Sequence, residues 1–485
     1  MYISDIDFIR SKLDDNNKND IIKKIIYDDA KSIIKKNMID GENYYNAIHD
    51  TLNINYNKTH ISETKVVNGI EKNVNTTFFN PNRSNHHNIN PFHKILVDQK
   101  VSYIVGREPS ILVKGSDNDL NLKKYELFIT EFADEYFNEV IQECVRGASN
   151  KGFEVVHIYY NDRGELKYCI IPAIEIIPIY DSKYQNELVE LIRYYPVKVF
   201  ENGNESIRYN VEWWTCNDVT YFREVSHNNF IKECDSSPHW WNISLLNNVE
   251  KIRSPHSWGR VPFIILNNNR YCTTDLQPIK PLIDAYDIIS SEGTNNFIDL
   301  VELYWVIQGY GGETSNAIAQ KLKINKAVNI SDSNGNVEAK QVSLPIKERI
   351  EFLNMLKHDI YHFGMGVDMS IDNRNNNGIF GNSASGVSLK FRYANLKHKA
   401  ENIVPKLKAF IRNLIWFFTD DINRRYGYDF DCSLITISIN YSQITDDLEI
   451  VDIINKSKGL LSDKTLIAKH PFIDDVNTEL LNKLE

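Results

Sequence analysis

Paired cysteines are missing from this chain. The six (Cys144, Cys169, Cys216, Cys234, Cys272 and Cys432) are scattered without one C-x-x-C. That pattern predicts a reducing environment and excludes a disulfide framework or a cysteine-built zinc site. A long apolar run is also missing. The best candidate, Leu414 to Phe418, stops at Thr419-Asp420-Asp421, well short of the ~18 residues that a membrane span needs. Met1 to Arg10 is polar and acidic where a secretory segment is apolar, so no signal peptide is expected. No G-x-x-x-x-G-K-[ST] occurs, which leaves no phosphate-cradling loop for ATP-driven work. Positive charge is in deficit as well, the formal net charge being −10. Proteins that grip nucleic acid by neutralising phosphates are usually basic, so tight nonspecific DNA binding is not expected. An acidic surface suits a polyanion that has to slide.

What is present is an ordinary folded composition, 42% hydrophobic and 25% charged over 485 residues, enough for two to four domains and more than one core. Ile21, Ile22, Ile25, Ile26, Ile33 and Ile34 predict helix within the first sixty residues. Thr59 to Asn90 is polar and Asn-rich, with Asn80-Pro81-Asn82 and Asn90-Pro91 as turn signals, and reads as a long connection. Helices are expected from Pro91 to Gly106 and from Glu126 to Ala148. Between Gly152 and Phe230 the pattern changes to strands. Val155–Tyr160, the turn Asn161-Asp162-Arg163-Gly164 and Leu166–Ile171 predict a hairpin. Leu188–Tyr195, Tyr209–Trp214 and Val219–Glu224 extend the series, which is antiparallel because no long helices separate the strands.

Pro262 to Leu266 reads as a short strand. A helix from about Lys280 to Val306 would span roughly 40 Å, broken at Gly309-Tyr310-Gly311-Gly312. Glu313 to Asn336 looks like a small excursion with one short helix and a turn at Ser333-Asn334-Gly335. A second long helix runs from Pro345 to Phe363, with Gly364 as its terminator. Asp368 to Gly386 is too rich in Gly and Asn for a regular element. A third helix, Val387 to about Tyr426, carries the clearest amphipathic pattern, from Ala400 through Ile403, Leu407, Phe410 and Leu414 to Ile422. Pro405 should kink it. A strand at Leu434–Tyr441 and a polar helical tail follow.

Candidate chemistry is sparse. His358 and His362 stand at i and i+4 on one helical face, the spacing of a zinc metalloprotease, but Asp359 replaces the required Glu and no third ligand is evident. A solvated or subunit-facing helix side is the simpler reading. Gly381-Asn382-Ser383-Ala384-Ser385-Gly386 imitates a nucleophile elbow without its G-x-S-x-G or preceding strand. Gly364-Met365-Gly366 is a lone G-x-G at a helix end. Trp213-Trp214 and Trp240-Trp241 suit core packing or base stacking. Basic residues gather at Lys321, Lys323 and Lys326, and at Lys390, Arg392, Lys397, Lys399, Lys406, Lys408 and Arg412. A solvated face is the default for both groups, and contact with DNA or an acidic partner is the alternative. No active site assembles from these parts, so the chain reads as no enzyme and needs no cofactor.

Four strings, in order, resemble the portal proteins of siphophages infecting Gram-positive bacteria. Asn90 to Gly106 is similar to N-F-x-x-x-I-V-D-x-K-x-x-Y-x-x-G. Trp258 to Ile264 with Asn267-Asn268, Asp275-Leu276 and Ile283-Asp284-Ala285-Tyr286-Asp287 is similar to G-x-x-P-F-I-x-x-x-N-N…D-L…L-I-D-A-Y-D. Ser385 to Tyr393 resembles S-G-V-A-L-K-F-R-Y, and Leu460 to Thr465 with Pro471 resembles L-x-S-x-x-T…P. Together they cover roughly residues 90 to 475. The polar stretch Thr59–Asn90 and the loop Asp368–Gly386 depart from the family pattern.

The resemblance implies an α+β portal-type fold with long stem helices, a mixed α/β wing, a small α/β clip and a helical crown. The wing would be 1–274, the stem helices 275–307 and 343–367, and the clip 308–342. Residues 368–386 would be a tunnel loop, 387–445 a wing helix and strand, and 446–485 the crown. It further implies a virion protein at a capsid vertex, a ring of about twelve copies through which double-stranded DNA passes. The implied partners are the terminase large subunit, scaffold, major capsid and head-completion proteins, with no membrane. Asp372, Arg374, Asn375, Asn376 and Asn377 would face the DNA, Arg374 being the cation of that loop. Lys321, Lys323 and Lys326 would meet the clip's partners. Tyr286, Phe297, Tyr304, Ile350, Leu353 and Ile360 would belong to the stem. A capsid-associated protein without a channel and a metallohydrolase using His358/His362 are the competing classes.

Overall fold

The computed structural model describes residues 18–67, 70–79, 83–116, 119–181, 183, 187–201, 204–226, 229–233, 236–246, 250–299, 304–308, 336–340, 346–368, 393–442, 447–460 and 466–467. The chain divides into two compact units, one of residues 1–45, 93–277 and 364–485, the other of 46–92 and 278–363.

In chain order the elements begin with helices α1 (Lys18–Ala30) and α2 (Ile33–Tyr45), strands β1 (Lys58–Val67) and β2 (Ile70–Phe79), and helix α3 (Phe92–Val105). Strand β3 (Ser110–Val113) and helices α4 (Leu120–Phe132) and α5 (Glu135–Lys151) follow. Then come β4 (Phe153–Tyr160), β5 (Leu166–Ile171), β6 (Ile176–Tyr180), β7 (Leu188–Glu201), β8 (Asn204–Trp214), β9 (Asp218–Ser226), β10 (Asn229–Lys232), β11 (Ser237–Pro238), β12 (Trp240–Leu246), β13 (Glu250–His256) and β14 (Phe263–Asn267). Helix α6 (Lys280–Asp299), strands β15 (Tyr304–Gln308) and β16 (Asn336–Lys340), helix α7 (Ile346–Phe363), helix α8 (Ala394–Tyr426), strand β17 (Ile435–Ser438) and helix α9 (Asp447–Lys456) complete the described elements. The α+β expectation holds.

The first unit is built around α8. Its apolar residues at three- and four-residue spacing bury Leu396, Ala400, Ile403, Leu407, Phe410, Ile411, Leu414, Ile415 and Ile422 in one stripe. Pro405 stands on the exposed side, where the main-chain carbonyl that it leaves without a donor can meet water. Helices α3, α4 and α5 and strands β3, β4, β14 and β17 add to that core, among them Val101, Ile104, Ile129, Val140, Cys144, Val156, Ile264 and Ile437. Strands β14, β4 and β5 form one antiparallel sheet, and β10, β9, β8, β7 and β6 lie in that order in another. The predicted hairpin is β4–β5, its turn closed by Gly164 N–H donating to the Asn161 carbonyl at 2.8 Å, with Gly164 at φ 74°.

Several expectations give way. The single helix Glu126–Ala148 is two, because Asp134 caps the second, its carboxylate accepting from the Phe137 N–H at 2.8 Å. Thr59–Asn90 is no plain connection: it contains the β1–β2 hairpin. The strand series does not close at Glu224, since β10 and the β12–β13 hairpin extend it. The first long helix does not reach Val306. Its described part runs to Asp299, and Tyr304-Trp305-Val306-Ile307 pairs with β16 instead, because an aromatic and β-branched run with a ladder partner favours strand over helix. Helix α7 ends before Gly364 as expected, but the left-handed residue is Met365, at φ 54°. The excursion Glu313 to Ser333-Asn334-Gly335, the residues Gly381–Gly386 and the start of the third helix at Val387 lie outside the described residues.

Candidate functional site

Two of the family-like strings meet, with Lys399 of α8, at one buried cluster in the first unit. Lys100, on α3, points its ammonium at Asn268 Oδ1 (2.6 Å) and Asp275 Oδ2 (2.9 Å). Asn268, just after β14, donates its amide to the other Asp275 oxygen at 2.9 Å. Lys399, on α8, approaches Asp275 Oδ2 at 3.2 Å. The backbone holds the acceptors in place. Asp275 N–H donates to the Ser149 carbonyl (2.9 Å), and Asn268 N–H to that of Gly152 (2.8 Å). Gly152 ends α5 at φ 87°, and a Cβ there would come within 2.1 Å of the Cys272 carbonyl oxygen, so this close approach requires glycine.

Two ammonium groups therefore share one carboxylate away from water. Burial pulls Lys100 down to about 8 despite the attraction of Asp275, and Lys399 pulls the same way. Burial alone would raise Asp275, but Lys100 and Lys399, with the Asn268 hydrogen bond, outweigh it and hold the carboxyl well below its usual range. Lys399 is thus not on a solvated face, as its place in the basic stretch of α8 had led us to expect: its side chain is 12% exposed. The charge inventory of the sequence had no signal for this.

The same helices grip the chain on both sides of the segment predicted as a tunnel loop. Ahead of it, Lys399 donates to the Gly364 carbonyl at 2.9 Å. Gln99 clamps Val367 twice, its amide donating to the Val367 carbonyl (2.7 Å) and its oxygen accepting from the Val367 N–H (2.9 Å). Behind it, Tyr393 stacks on Tyr103 at 6.1 Å between ring centroids, and Tyr103 stacks on Tyr441 at 5.2 Å. Gln99, Lys100 and Tyr103 all belong to α3, so one short helix anchors both roots.

In the second unit α6 and α7 pack together, with Gly293 of α6 leaving room for Arg349 of α7. A Cβ at Gly293 would meet the Arg349 guanidinium at 2.9 Å. A non-helical segment, residues 83–90, is fastened along α6. The N–H groups of Ser84, His86, Asn88 and Asn90 donate in turn to Asp299 Oδ1 (3.0 Å), Asn295 Oδ1 (2.8 Å), Ser291 Oγ (2.9 Å) and Asp287 Oδ1 (3.0 Å). Every second amide of the strap meets every fourth residue of the helix, in opposite directions. Asn88 adds its side chain, reaching Thr294 Oγ1 at 2.6 Å and the Ser290 carbonyl at 3.1 Å. Asp287, fully buried, also takes the Asn90 side-chain amide (2.9 Å) and faces His49 Nδ1 at 2.5 Å.

Of the predicted stem residues, Ile360 is fully buried and Leu353 half-buried. Tyr286 meets the edge of Phe92 at 4.9 Å. Phe297 and Ile350 are about half exposed, at 53% and 52%, and Ile298, Phe352 and Met355 are exposed beside them. Tyr304 starts β15 and is no part of the helix. Lys321, Lys323, Lys326, Asp372, Arg374, Asn375, Asn376, Asn377, Lys390 and Arg392 lie outside the described residues. His358 and His362 stack their rings at 6.0 Å on an exposed face, and among the described residues no group of three His, Cys, Asp or Glu could hold a metal ion. Among the described residues no helix is long and apolar enough to cross a membrane. Trp213 and Trp214 are core residues at 9% and 6% exposure.

The family model described as phage portal protein, SPP1 Gp6-like, matches residues 22–485. The portal protein of Bacillus phage SPP1 is 28% identical over 479 residues, covering 98% of this chain and 85% of that protein. The portal protein of Clostridium phage phiCD119 is 28% identical over 474 residues, covering 94% and 93%. A chain of a solved structure, the neck of a native GTA particle computed with C12 symmetry, is similar at a TM-score of 0.41 and 10% identity over 79% of this chain and 90% of that one, a likeness too slight to fix fold or ring size. With the match running from residue 22 to the last residue, the chain belongs to the SPP1 Gp6-like family of phage portal proteins.

Proposed function

We propose that copies of this chain close into a ring of about twelve at one vertex of the capsid, forming the channel through which double-stranded DNA enters and leaves the virion. The protein is a conduit and a docking platform, and it catalyses no reaction. The observation that carries this reading is the family match, unbroken across residues 22–485. Charge supports it: −10 per chain amounts to roughly −120 per ring, a field that favours sliding over sticking. The exposed apolar side chains of α6 and α7 suit contact with neighbouring copies, with Tyr286, Phe297, Ile350, Leu353 and Ile360 as stem residues. The segment 368–386, rooted by α3 and α8, suits a loop that follows the DNA, with Asp372, Arg374 and Asn375 to Asn377 reaching it. Residues 1–274 and 387–445 would form the wing and 446–485 the crown, with scaffold and major capsid protein around them and assembly taking place in the host cytoplasm.

Purified protein is expected to give closed rings in negative-stain microscopy. A compact monomer under all assembly conditions, and in particles as well, would refute the proposal. Within the ring, Lys321, Lys323 and Lys326 of the clip (308–342) would meet the terminase large subunit and then the head-completion protein. Reversing all three to Glu is expected to block packaging or head completion while rings still form. Normal packaging by such rings would remove the lysines from the docking site.

A further inference from the structure

The basic residues of α8 that the buried cluster leaves unused fall into a pattern of their own. Lys408, Arg412, Trp416, Asp420 and Arg424 recur every fourth residue and so form one stripe along the helix. From the loop before β14, the exposed Arg260 lays its guanidinium over the Trp416 ring, 3.5 Å from the centroid. At the far end Arg424 covers Trp240 at 4.0 Å. Arg424 and Arg425 converge on the same Asp421 oxygen, each at 2.8 Å.

The other cations of the patch are unsatisfied. Among the described residues no carboxylate comes within ion-pair distance of Lys408, Arg412 or Arg260. Asp420 acts on Arg260 through space without pairing with it. Asp431, Arg260 and Arg412 all act on the Cys432 thiol, the carboxylate raising it and the two guanidinium groups lowering it. Five cations (Lys408, Arg412, Arg260, Arg424 and Arg425) thus stand against three carboxylates (Asp420, Asp421 and Asp431) on a chain whose net charge is −10. Charge of the minority sign left unpaired, as on Lys408, Arg412 and the Arg260 that sits over Trp416, is chemistry for an anionic partner.

The rings indicate which anion. Base stacking needs a free aromatic face, and each of the three indoles here already has a partner over one face. Trp416 carries Arg260, Trp240 stacks on His256 at 4.5 Å and carries Arg424, and Trp258 stacks on Tyr160 at 5.4 Å. What Arg260 and Arg412 bring is the planar guanidinium group, a fork that can take a carboxylate with two hydrogen bonds. We propose that the Arg260–Trp416–Arg412 patch of α8 docks an acidic peptide segment of a partner protein. This does not depend on the channel reading.

Fluorescence anisotropy on the full-length protein tests it, using a labelled decapeptide of alternating Glu and Asp, a decalysine control and a ten-nucleotide oligothymidine. The acidic peptide is expected to bind and to weaken with salt, and decalysine not to bind. The Arg260→Glu/Arg412→Glu double variant should lose at least tenfold in affinity with an unchanged thermal midpoint, and Arg412→Glu alone should lose several-fold. Arg260→Lys, which keeps the charge but not the flat fork, should also lose several-fold. Unchanged binding of the acidic peptide by the double variant overturns the proposal. So does oligothymidine binding that matches or exceeds the peptide's and disappears in the double variant.

Discussion

Asp275→Ala is expected to lower stability by roughly 3–5 kcal/mol, because it strands two buried ammonium groups without a counter-charge. Read as thermal unfolding, that is a fall in midpoint on the order of 10 °C. The sign of its pH dependence separates this loss from that of a merely structural contact. The folded-state pKa of Asp275 lies below its unfolded value, so its contribution is fully present above about pH 4 and is lost as pH falls through the folded pKa. In the variant, Lys100 has burial acting on it without Asp275, so its folded-state pKa lies further below the unfolded 10.5 than in the wild type, where it is about 8. The unfolded variant then binds more protons than the folded one across the neutral to alkaline range, and its stability rises with pH there. The deficit should therefore narrow between pH 7 and pH 10. A deficit that stays constant over that range would show that the charge of Lys100 is not what the carboxylate compensates.

Asp287→Ala should be the other large effect, roughly 3 kcal/mol, since one buried carboxylate serves the His49 ring and both the main chain and the side chain of Asn90. The specific readout is amide hydrogen exchange along the strap. In the wild type, Ser84, His86, Asn88 and Asn90 donate to α6 and should exchange more slowly than Asn85, His87 and Ile89. In the variant Asn90 should lose its protection first and most, with Asn88 next. Uniform exchange across residues 84–90 in the wild type would contradict the alternation on which this rests.

The parts of the fold governed by hydrophobic period were legible in the sequence. The apolar stripe of α8 and the β4–β5 hairpin with its glycine turn needed only local pattern. The strings containing Lys100, Asn268 and Asp275 were visible as well, but nothing local says that they form one cluster, because the contacting residues are 168 and 175 positions apart. Lys399 was the harder case: a lysine among lysines on an amphipathic helix reads as solvated until its partner is known. The strap was missed because its bonds run from main chain to polar side chains. Asn85, His86, His87, Asn88 and Asn90 therefore carry no apolar rhythm and look like a loop. The break at Asp134 did have a signal, an N-capping residue followed by Glu, which the run of phenylalanines overrode.

The strap also behaves as a vernier between two periodicities. Two residues of extended chain advance ~6.6–6.8 Å, and four residues of helix ~6.0 Å. The scales part by about 2 Å over the three intervals from Asp299 to Asp287, a gap that side chains can absorb and that a much longer clasp could not. A single inserted residue in the middle would carry the amides on one side of it out of phase with the helix at once, whatever its side chain. At Ser84 and His86, which take part in the clasp through their main chain, the chain should accept many substitutions, but between Ser84 and Asn90 neither a gain nor a loss of length.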